Sequence, residues 1–320
     1  MKTIAVLTSG GDAPGMNASI RAVVRLSISK GFRVLGVLRG FGGLINRDIF
    51  EMSVRTVSEI IERGGTILYT TRSPEFLTED GVKRAVSTCK DFKIDVVIVL
   101  GGEGSLLGAK RLSEYGIPCI CIPCTIDNDV SCSDNSIGFD TAVNTATSMI
   151  DKIRDTAQAH DRCSVVEVMG RKCGNIALHT GISVGATAIL IPEYKFDFET
   201  DIIEKINFAQ KNGKKHFIII VAEGLKMTSE ISHKISSRTG IESRITILGY
   251  VQRGGTPSAA DRILASKMGC FAVELIVNDK LNNVVSYKNN ELFPISFSEM
   301  TNFKKTFDFD SYQKALEIST

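Results

Sequence analysis

Short, unbroken apolar runs alternate along the chain with longer stretches whose apolar residues recur at helical spacing. Runs at 4–7, 34–37, 95–100, 119–122, 164–168, 188–191 and 217–221 are together rich in Val and Ile and predict buried strands. Residues 17–29 place Ile20, Val23, Val24 and Ile28 at helical spacing, and 105–115 and 141–159 read as further helices. Strands alternating with helices predict right-handed βαβ crossovers, mostly parallel sheets and helices on both faces. About four strands fall in each half. The expected fold class is α/β, with two similar Rossmann-like three-layer lobes and an active-site cleft between them. From Phe293 onward the polarity is irregular, and this tail is expected to wrap back over the body.

Composition narrows the function classes. Hydrophobic residues make up 43% of the 320 and charged residues 23%, the balance of a globular protein with a real core. A net charge of +2 supplies no basic field for nucleic acid, so none is expected as a partner. No apolar run approaches the roughly 18 residues of a spanning helix, and the apolar stretch at the N-terminus is too short for an export signal. No membrane association and a cytoplasmic location are expected. Of the eight cysteines, Cys119, Cys121, Cys124 and Cys132 lie close together, but no histidine is near them in sequence. Core packing of reduced thiols explains them better than a metal site.

Candidate chemistry sits in the turns that follow strands, where α/β sheets receive ligands. The segment 7–17, LTSGGDAPGMN, is a strand-to-helix turn with three glycines. It suits phosphate, because glycine admits close backbone approach and the next helix presents unpaired N–H groups; a tight turn without a ligand is the plain alternative. It is not a Walker A loop, and neither glycine turn is a GxGxxG dinucleotide fingerprint. Gly101-Gly102-Glu103-Gly104-Ser105 is a second such turn, with a carboxylate able to hold Mg²⁺ and a hydroxyl that can cap a helix. Gly108 lets that helix approach a ligand or strand closely.

Residues 125–129, Thr-Ile-Asp-Asn-Asp, carry the sharpest signal. In an extended segment Asp127 and Asp129 point to one side and are not expected in a core. One can act as general base toward a hydroxyl while the other helps hold a metal; a solvated acidic loop is the alternative. Arg72, Arg171, Arg244 and Arg253 lie beside Gly, Ser or Thr and, with Arg162, read as loop cations suited to phosphate.

Together these residues resemble the bacterial-type ATP-dependent 6-phosphofructokinase family. The resemblance rests on LTSGGDAPGMNA at 7–18, RGGT at 63–66, GGEGS at 101–105, TIDND at 125–129, IGFDTA at 137–142, SVVEVMGRKCG at 164–174 and ILGYVQRGGTPSAADRILASKMG at 247–269. It implies phosphoryl transfer from ATP to the 1-hydroxyl of fructose 6-phosphate, with Mg²⁺. A nucleotide-binding lobe of 1–138 plus 252–304 and a sugar-phosphate lobe of 139–251 plus 305–320 follow from it. Asp127 would be the base, flanked by Thr125 and by Asp129 on the metal side with Glu103, and Arg171 would steady the transferring group. Gly11, Arg72, Ser73, Gly102, Glu103, Gly104, Ser105 and Gly108 would shape the ATP site. Met169, Gly170 and Glu223 would hold the sugar. Arg244, Tyr250 and Arg253 would bind its 6-phosphate, with Arg162 from a neighbouring subunit of a homotetramer. Arg21, Arg25, Arg154, Lys214, Lys215 and His216 match an effector site.

Several positions depart from the family pattern. Glu103 stands for an aspartate, Cys124 for a glycine, Phe41 for a tyrosine and Tyr250 for a histidine, and Ser73 for an aromatic residue or cysteine. In the effector set Val54 and Asn212 replace cations and Thr187 replaces a glutamate, which implies weak allostery. A pyrophosphate-dependent or altered-sugar relative, or a catalytically weak regulatory paralogue, therefore stands beside the ATP-dependent reading. Gly104 leaves room for a nucleotide, and Cys124 offers pyrophosphate no cation.

Overall fold

The structure is a computed structural model describing residues 1–319. The chain forms two units, 1–141 with 253–305 and 142–252 with 306–320. In chain order it runs through β1 (Thr3–Ser9), α1 (Met16–Ser29), β2 (Arg33–Val37), α2 (Phe41–Asn46), β3 (Ile49–Glu51), α3 (Glu79–Asp91), β4 (Val96–Gly101), α4 (Glu103–Glu114) and β5 (Cys119–Pro123). The long helix α5 (Phe139–Ala159) carries the chain into the second unit. There follow β6 (Cys163–Val168), α6 (Asn175–Ser183), β7 (Ala188–Leu190), α7 (Glu204–Lys211), β8 (Phe217–Ala222), α8 (Thr228–Thr239) and β9 (Ser243–Ile247). The chain then returns through α9 (Ala259–Val277), β10 (Asn283–Lys288) and β11 (Glu291–Ser296), and α10 (Phe309–Glu317) joins the second unit.

In the first unit seven strands stand in the order β11-β10-β5-β4-β1-β2-β3. Neighbours from β10 to β2 are parallel, and β3 and β11 close the edges antiparallel. The central strands are buried along their whole length, which explains their continuous Val/Ile content. The chain leaves β1 toward β2 on one side and later adds β4 on the other. This reversal is the switch point at which α/β sheets open a ligand crevice beyond the strand carboxyl ends. Glycine turns follow both β1 and β4, and register pairs Ser9 with Gly101 across them. Cys89, Cys119, Cys121 and Cys132 pack in this unit's apolar core, and burial pushes the Cys119 and Cys121 thiols well above their ordinary pKa.

In the second unit four parallel strands stand in the order β7-β8-β6-β9. Phe217, Ile219 and Val221 of β8 face a core shared with Ile202, Ile206, Ile231 and Ile235. The Tyr312 hydroxyl of α10 donates to the Ile189 carbonyl at 3.0 Å, tying the last helix to β7.

Several expectations are corrected. Among the described residues the first half of the chain holds five strands and the second six, rather than about four each. The short edge strand β3 lacks a buried apolar run, and β10 with β11 forms a hairpin with partly polar faces. Phe293 lies in β11, paired opposite Ser286. Arg244 lies in β9 rather than in a loop, because β9 is an exposed edge strand whose polar residues look loop-like.

Candidate active site

The two glycine turns of the first unit are joined by one hydroxyl. Ser105 is buried, and its Oγ donates to the Ser9 carbonyl at 3.0 Å. Ser105 is therefore a tie between β1 and α4 rather than a helix cap, since α4 already starts at Glu103 with Gly102 as its N-cap. A Cβ on Gly101 would lie 2.4 Å from Ser105 Oγ and 2.5 Å from the Ser9 carbonyl, so the close approach requires glycine there. Gly11 faces Arg253, whose Nη1 donates to the Asp12 carbonyl at 3.1 Å. A Cβ on Gly108 would come within 2.7 Å of the Phe41 ring, so the helix packs against Phe41 there only because the residue is glycine. Phe41 is buried and stacks on Phe76 at 4.2 Å. Arg72 is exposed; Ser73 lies beside Gly42 at the start of α2. The buried Asn17 side chain holds the 63–67 turn, donating to the Arg63 carbonyl at 3.0 Å and accepting from Ile67 N–H at 2.8 Å.

Residues 125–129 follow β5 beside this crevice. Cys124 N–H donates to the Gly101 carbonyl at 3.0 Å, and a Cβ on Gly102 would lie 3.5 Å from Thr125 Cβ. The segment bearing Glu103 is thus adjacent to the acidic run. The run is a turn rather than extended, and Asp127 is only 5% exposed, against the expectation that it lies outside any core. The reason is local hydrogen bonding. Thr125 N–H donates to the Ile137 carbonyl at 3.1 Å, and Ile137 N–H to the Pro123 carbonyl at 3.1 Å. Asp127 N–H reaches Thr125 Oγ1 at 3.2 Å. Asn128 sits at φ +50°, a left-handed conformation that asparagine tolerates, and its Oδ1 accepts from Ser136 N–H at 3.0 Å. Ser136 Oγ donates to the Thr125 carbonyl at 2.7 Å. Asn128 and Ser136 hold the turn together, a role that motif spacing did not reveal.

Cys124 is wholly buried, and burial, with Asp261 adding to it, pushes its thiol well above the ordinary value. Glu103 is exposed in the first turn of α4, and Asp129 is half-buried. Among the described residues no group of three or more His, Cys, Asp or Glu side chains forms a metal cage. Carboxylate oxygens of the kind that Glu103 and Asp129 carry suit magnesium, which keeps waters and takes phosphate oxygens as further ligands. No helix among the described residues is long and apolar enough to cross a membrane.

The second unit brings another set of predicted residues to the carboxyl ends of β6 and β8, where Val168 pairs with Ala222. Glu223 Oε1 accepts from Gly170 N–H at 3.2 Å and Arg171 N–H at 2.7 Å, and Gln252 Oε1 accepts from Met169 N–H at 3.2 Å. One oxygen of Glu223 is therefore engaged with backbone. Arg162 and Arg244 share one carboxylate that sequence reasoning passed over. Arg162 Nε donates to Glu242 Oε2 at 2.7 Å, and Arg244 Nη2 pairs with Glu242 Oε1. The hydrogen bond from Arg162, ahead of its charge and that of Arg244, holds the Glu242 carboxyl below its usual range. The alternation of 242 and 244 was the available signal. Tyr250 is exposed in a short helical turn, Gly249–Arg253.

Effector candidates of the second unit also gather. Lys214 Nζ donates to Thr187 Oγ1 at 3.5 Å, and Arg154 bonds the Val184 carbonyl. Burial first, then Arg154 and Lys214, lowers the His216 pKa. Lys215 lies 3.9 Å from Asp161. In the first unit Arg25 and Val54 are exposed and Arg21 is half-buried on α1.

Glycine turns at a sheet's switch point, beside a nearly buried carboxylate turn, define an α/β protein of the class that handles phosphorylated ligands. The phosphofructokinase family model matches residues 3–276. The chain is 50% identical over 319 residues to an ATP-dependent 6-phosphofructokinase of Alkaliphilus metalliredigens and 51% identical over 319 residues to one of Clostridium tetani, covering 100% of both chains in each case. The chain belongs to the phosphofructokinase family. It superposes on phosphofructokinase from Saccharomyces cerevisiae with a TM-score of 0.89 at 32% identity, over 100% of this chain and 48% of that one. It also shares its fold with a pyrophosphate-dependent phosphofructokinase of Marinobacter aquaeolei, at TM-score 0.87 and 20% identity over 100% of this chain and 91% of the other.

Proposed function

We infer that the protein is a kinase that transfers the terminal phosphoryl group of ATP to the 1-hydroxyl of fructose 6-phosphate, giving fructose 1,6-bisphosphate and ADP in glycolysis. The observation that carries this is identity of about half the residues, end to end, with bacterial proteins named ATP-dependent 6-phosphofructokinase. Gly104 leaves room for a nucleotide, since the space in front of it is open and a Cβ there would meet nothing within 4 Å. Steady-state turnover of fructose 6-phosphate with Mg²⁺ and ATP, compared with pyrophosphate, tests it. Turnover with pyrophosphate alone, or with neither donor, overturns it.

In the proposed mechanism Asp127 accepts the proton of the attacking sugar hydroxyl, and Thr125 orients the same turn. The Gly11, Gly102, Gly104 and Gly108 segments, with Arg72, Ser73 and Ser105, form the nucleotide site. Arg171 stabilises the transferring phosphoryl group, and Met169, Gly170 and Glu223 hold the sugar. Tyr250 and Arg253 bind its 6-phosphate together with Arg162 and Arg244, and because those two share Glu242 within one chain, the second subunit of a cytoplasmic homotetramer that supplies Arg162 supplies Arg244 with it. Glu103 and Asp129 would hold magnesium, which supplies charge neutralisation on the phosphate oxygens. Phosphoryl transfer asks chiefly for such positioning and neutralisation.

Glu103 adds a methylene where the family pattern has aspartate, which moves its carboxylate relative to a metal that demands near-octahedral geometry. Glu103→Asp is expected to raise kcat with ATP and magnesium about tenfold, because misplacement by about 1 Å can cost roughly 10²-fold. An unchanged kcat would refute the point.

Arg21, Arg25, Arg154, Lys214, Lys215 and His216 form the proposed effector set. With Val54, Thr187 and Asn212 in place of charged groups, ADP is expected to shift the sugar-phosphate half-saturation less than about fivefold, the low end of ordinary allosteric coupling. A sigmoidal saturation curve that ADP makes hyperbolic would sink this expectation.

A further inference from the structure

Asp261 has no part in the roles above, yet it is a buried carboxylate near the acidic turn that accepts three hydrogen bonds. It lies in the first turn of α9 and is 2% exposed. Its Oδ1 accepts from Gly138 N–H at 2.8 Å, and its Oδ2 accepts from Thr141 N–H at 2.8 Å and Thr141 Oγ1 at 2.5 Å. Thr141 Oγ1 in turn accepts from Ser258 N–H at 3.0 Å. Ser258 caps α9 through Asp261 N–H at 3.2 Å, and its hydroxyl donates to Asp140 Oδ2 at 2.5 Å. Each helix start thus supplies partners for the other, α9 through Asp261 and α5 through Asp140. A carboxylate at the start of α5 satisfies orphan N–H groups and suits the positive end of the helix dipole. Burial raises the Asp261 pKa, while the Thr141 hydroxyl and the two N–H donors oppose that.

Gly138 follows Ile137, the residue whose backbone bonds both Pro123 and Thr125 on either side of Cys124. Gly138 has φ +104°, and a Cβ there would stand 2.6 Å from Ala13 Cβ in the first glycine turn. A Cβ on Gly15 would stand 2.7 Å from Ile137 Cγ2 and 3.6 Å from Asp261 Cβ. The segment that Asp261 grips is therefore where the first glycine turn and the acidic turn lean on each other. Packing this close leaves Ile137 little freedom, and a shift there passes directly to Thr125 and Asp127.

We propose that Asp261 is a positioning residue for phosphoryl transfer, its carboxylate fixing the Ile137–Gly138 backbone and so the aim of the Thr125–Asp127 turn. The inference rests on the reading of residues 125–129 as the reacting turn. The test is steady-state kinetics on Asp261→Asn, Thr141→Val and Thr141→Ser, with thermal unfolding of each. An amide in place of the carboxylate opposes a donor to one of the three donors. Asp261→Asn is expected to lower kcat between about tenfold and 10²-fold, with KM for ATP and fructose 6-phosphate within about twofold, the mark of misalignment rather than lost binding. Thr141→Val removes the hydroxyl donor and is expected to lower kcat at least about threefold, and Thr141→Ser, which keeps it, to restore the wild-type value. If Asp261→Asn does not fold, the Thr141 pair decides. Variants that lose thermal stability but keep the wild-type kcat overturn the proposal, since a purely structural clamp would do that. Lack of turnover in the unmodified protein would instead sink the catalytic reading, and the proposal with it.

Discussion

Asp127→Ser is expected to lower kcat with ATP about 10³-fold, within the range that a positioned general base contributes. The KM values for both substrates are expected to stay within a few-fold, because serine removes the proton acceptor without adding bulk. The backbone should hold its shape. The turn is fixed by Asp127 N–H on Thr125 Oγ1 at 3.2 Å, and by Asn128 and Ser136, none of which uses the Asp127 side chain. Thermal unfolding measured beside kcat separates lost chemistry from lost stability. A loss of less than about tenfold would remove Asp127 from the role of base. It would also return the acidic run to a structural part, since Asp127 is nearly buried.

The sequence made the central strands legible because they are buried on both faces and show as continuous apolar runs, such as β4 and β8. It also made the glycine turns and the acidic run legible, because each is contiguous. What it hid is held by partners far away in the chain. The Ser105 hydroxyl meets the Ser9 carbonyl across 96 positions, and Asp261 meets Gly138 across 123. Neither distance leaves a spacing that can be read. Ser105 at a helix start looks like a cap until the helix is seen to begin two residues earlier, at Glu103. Edge strands were hidden for a different reason. β9 mixes exposed Arg244, Ile245 and Ile247 with half-buried neighbours, so neither strict alternation nor an apolar run marks it. The assignment of Asp127 to an extended, exposed segment failed because residues 125–128 fold back on backbone partners supplied by Ile137 and Ser136.

Arg171 carries the second large effect, and its backbone makes the prediction sharp. It sits at φ +59° after Gly170 at φ +140°, a conformation that costs a non-glycine residue about 1 kcal/mol or more. Glu223 sustains it by accepting from both N–H groups, Arg171 at 2.7 Å and Gly170 at 3.2 Å. Gly224 sustains it from the other side, since a Cβ there would stand 2.7 Å from the Arg171 carbonyl. A site that holds an exposed arginine in a left-handed turn is maintaining its aim at some cost in stability. Arg171→Ala is expected to lower kcat about 10³-fold, as removal of a cation that stabilises a transferring phosphoryl group does elsewhere. Arg171→Lys keeps the charge but not the planar fork, and is expected to lose at least about tenfold. Arg171→Gly is expected to be as inactive as Arg171→Ala yet more stable than it by about 1 kcal/mol, because glycine adopts the left-handed turn without strain. Urea unfolding of the two variants beside their kcat values separates the contributions. Equal stabilities would mean that the turn stores no strain, and a kcat near wild type in Arg171→Ala would remove the residue from the reaction.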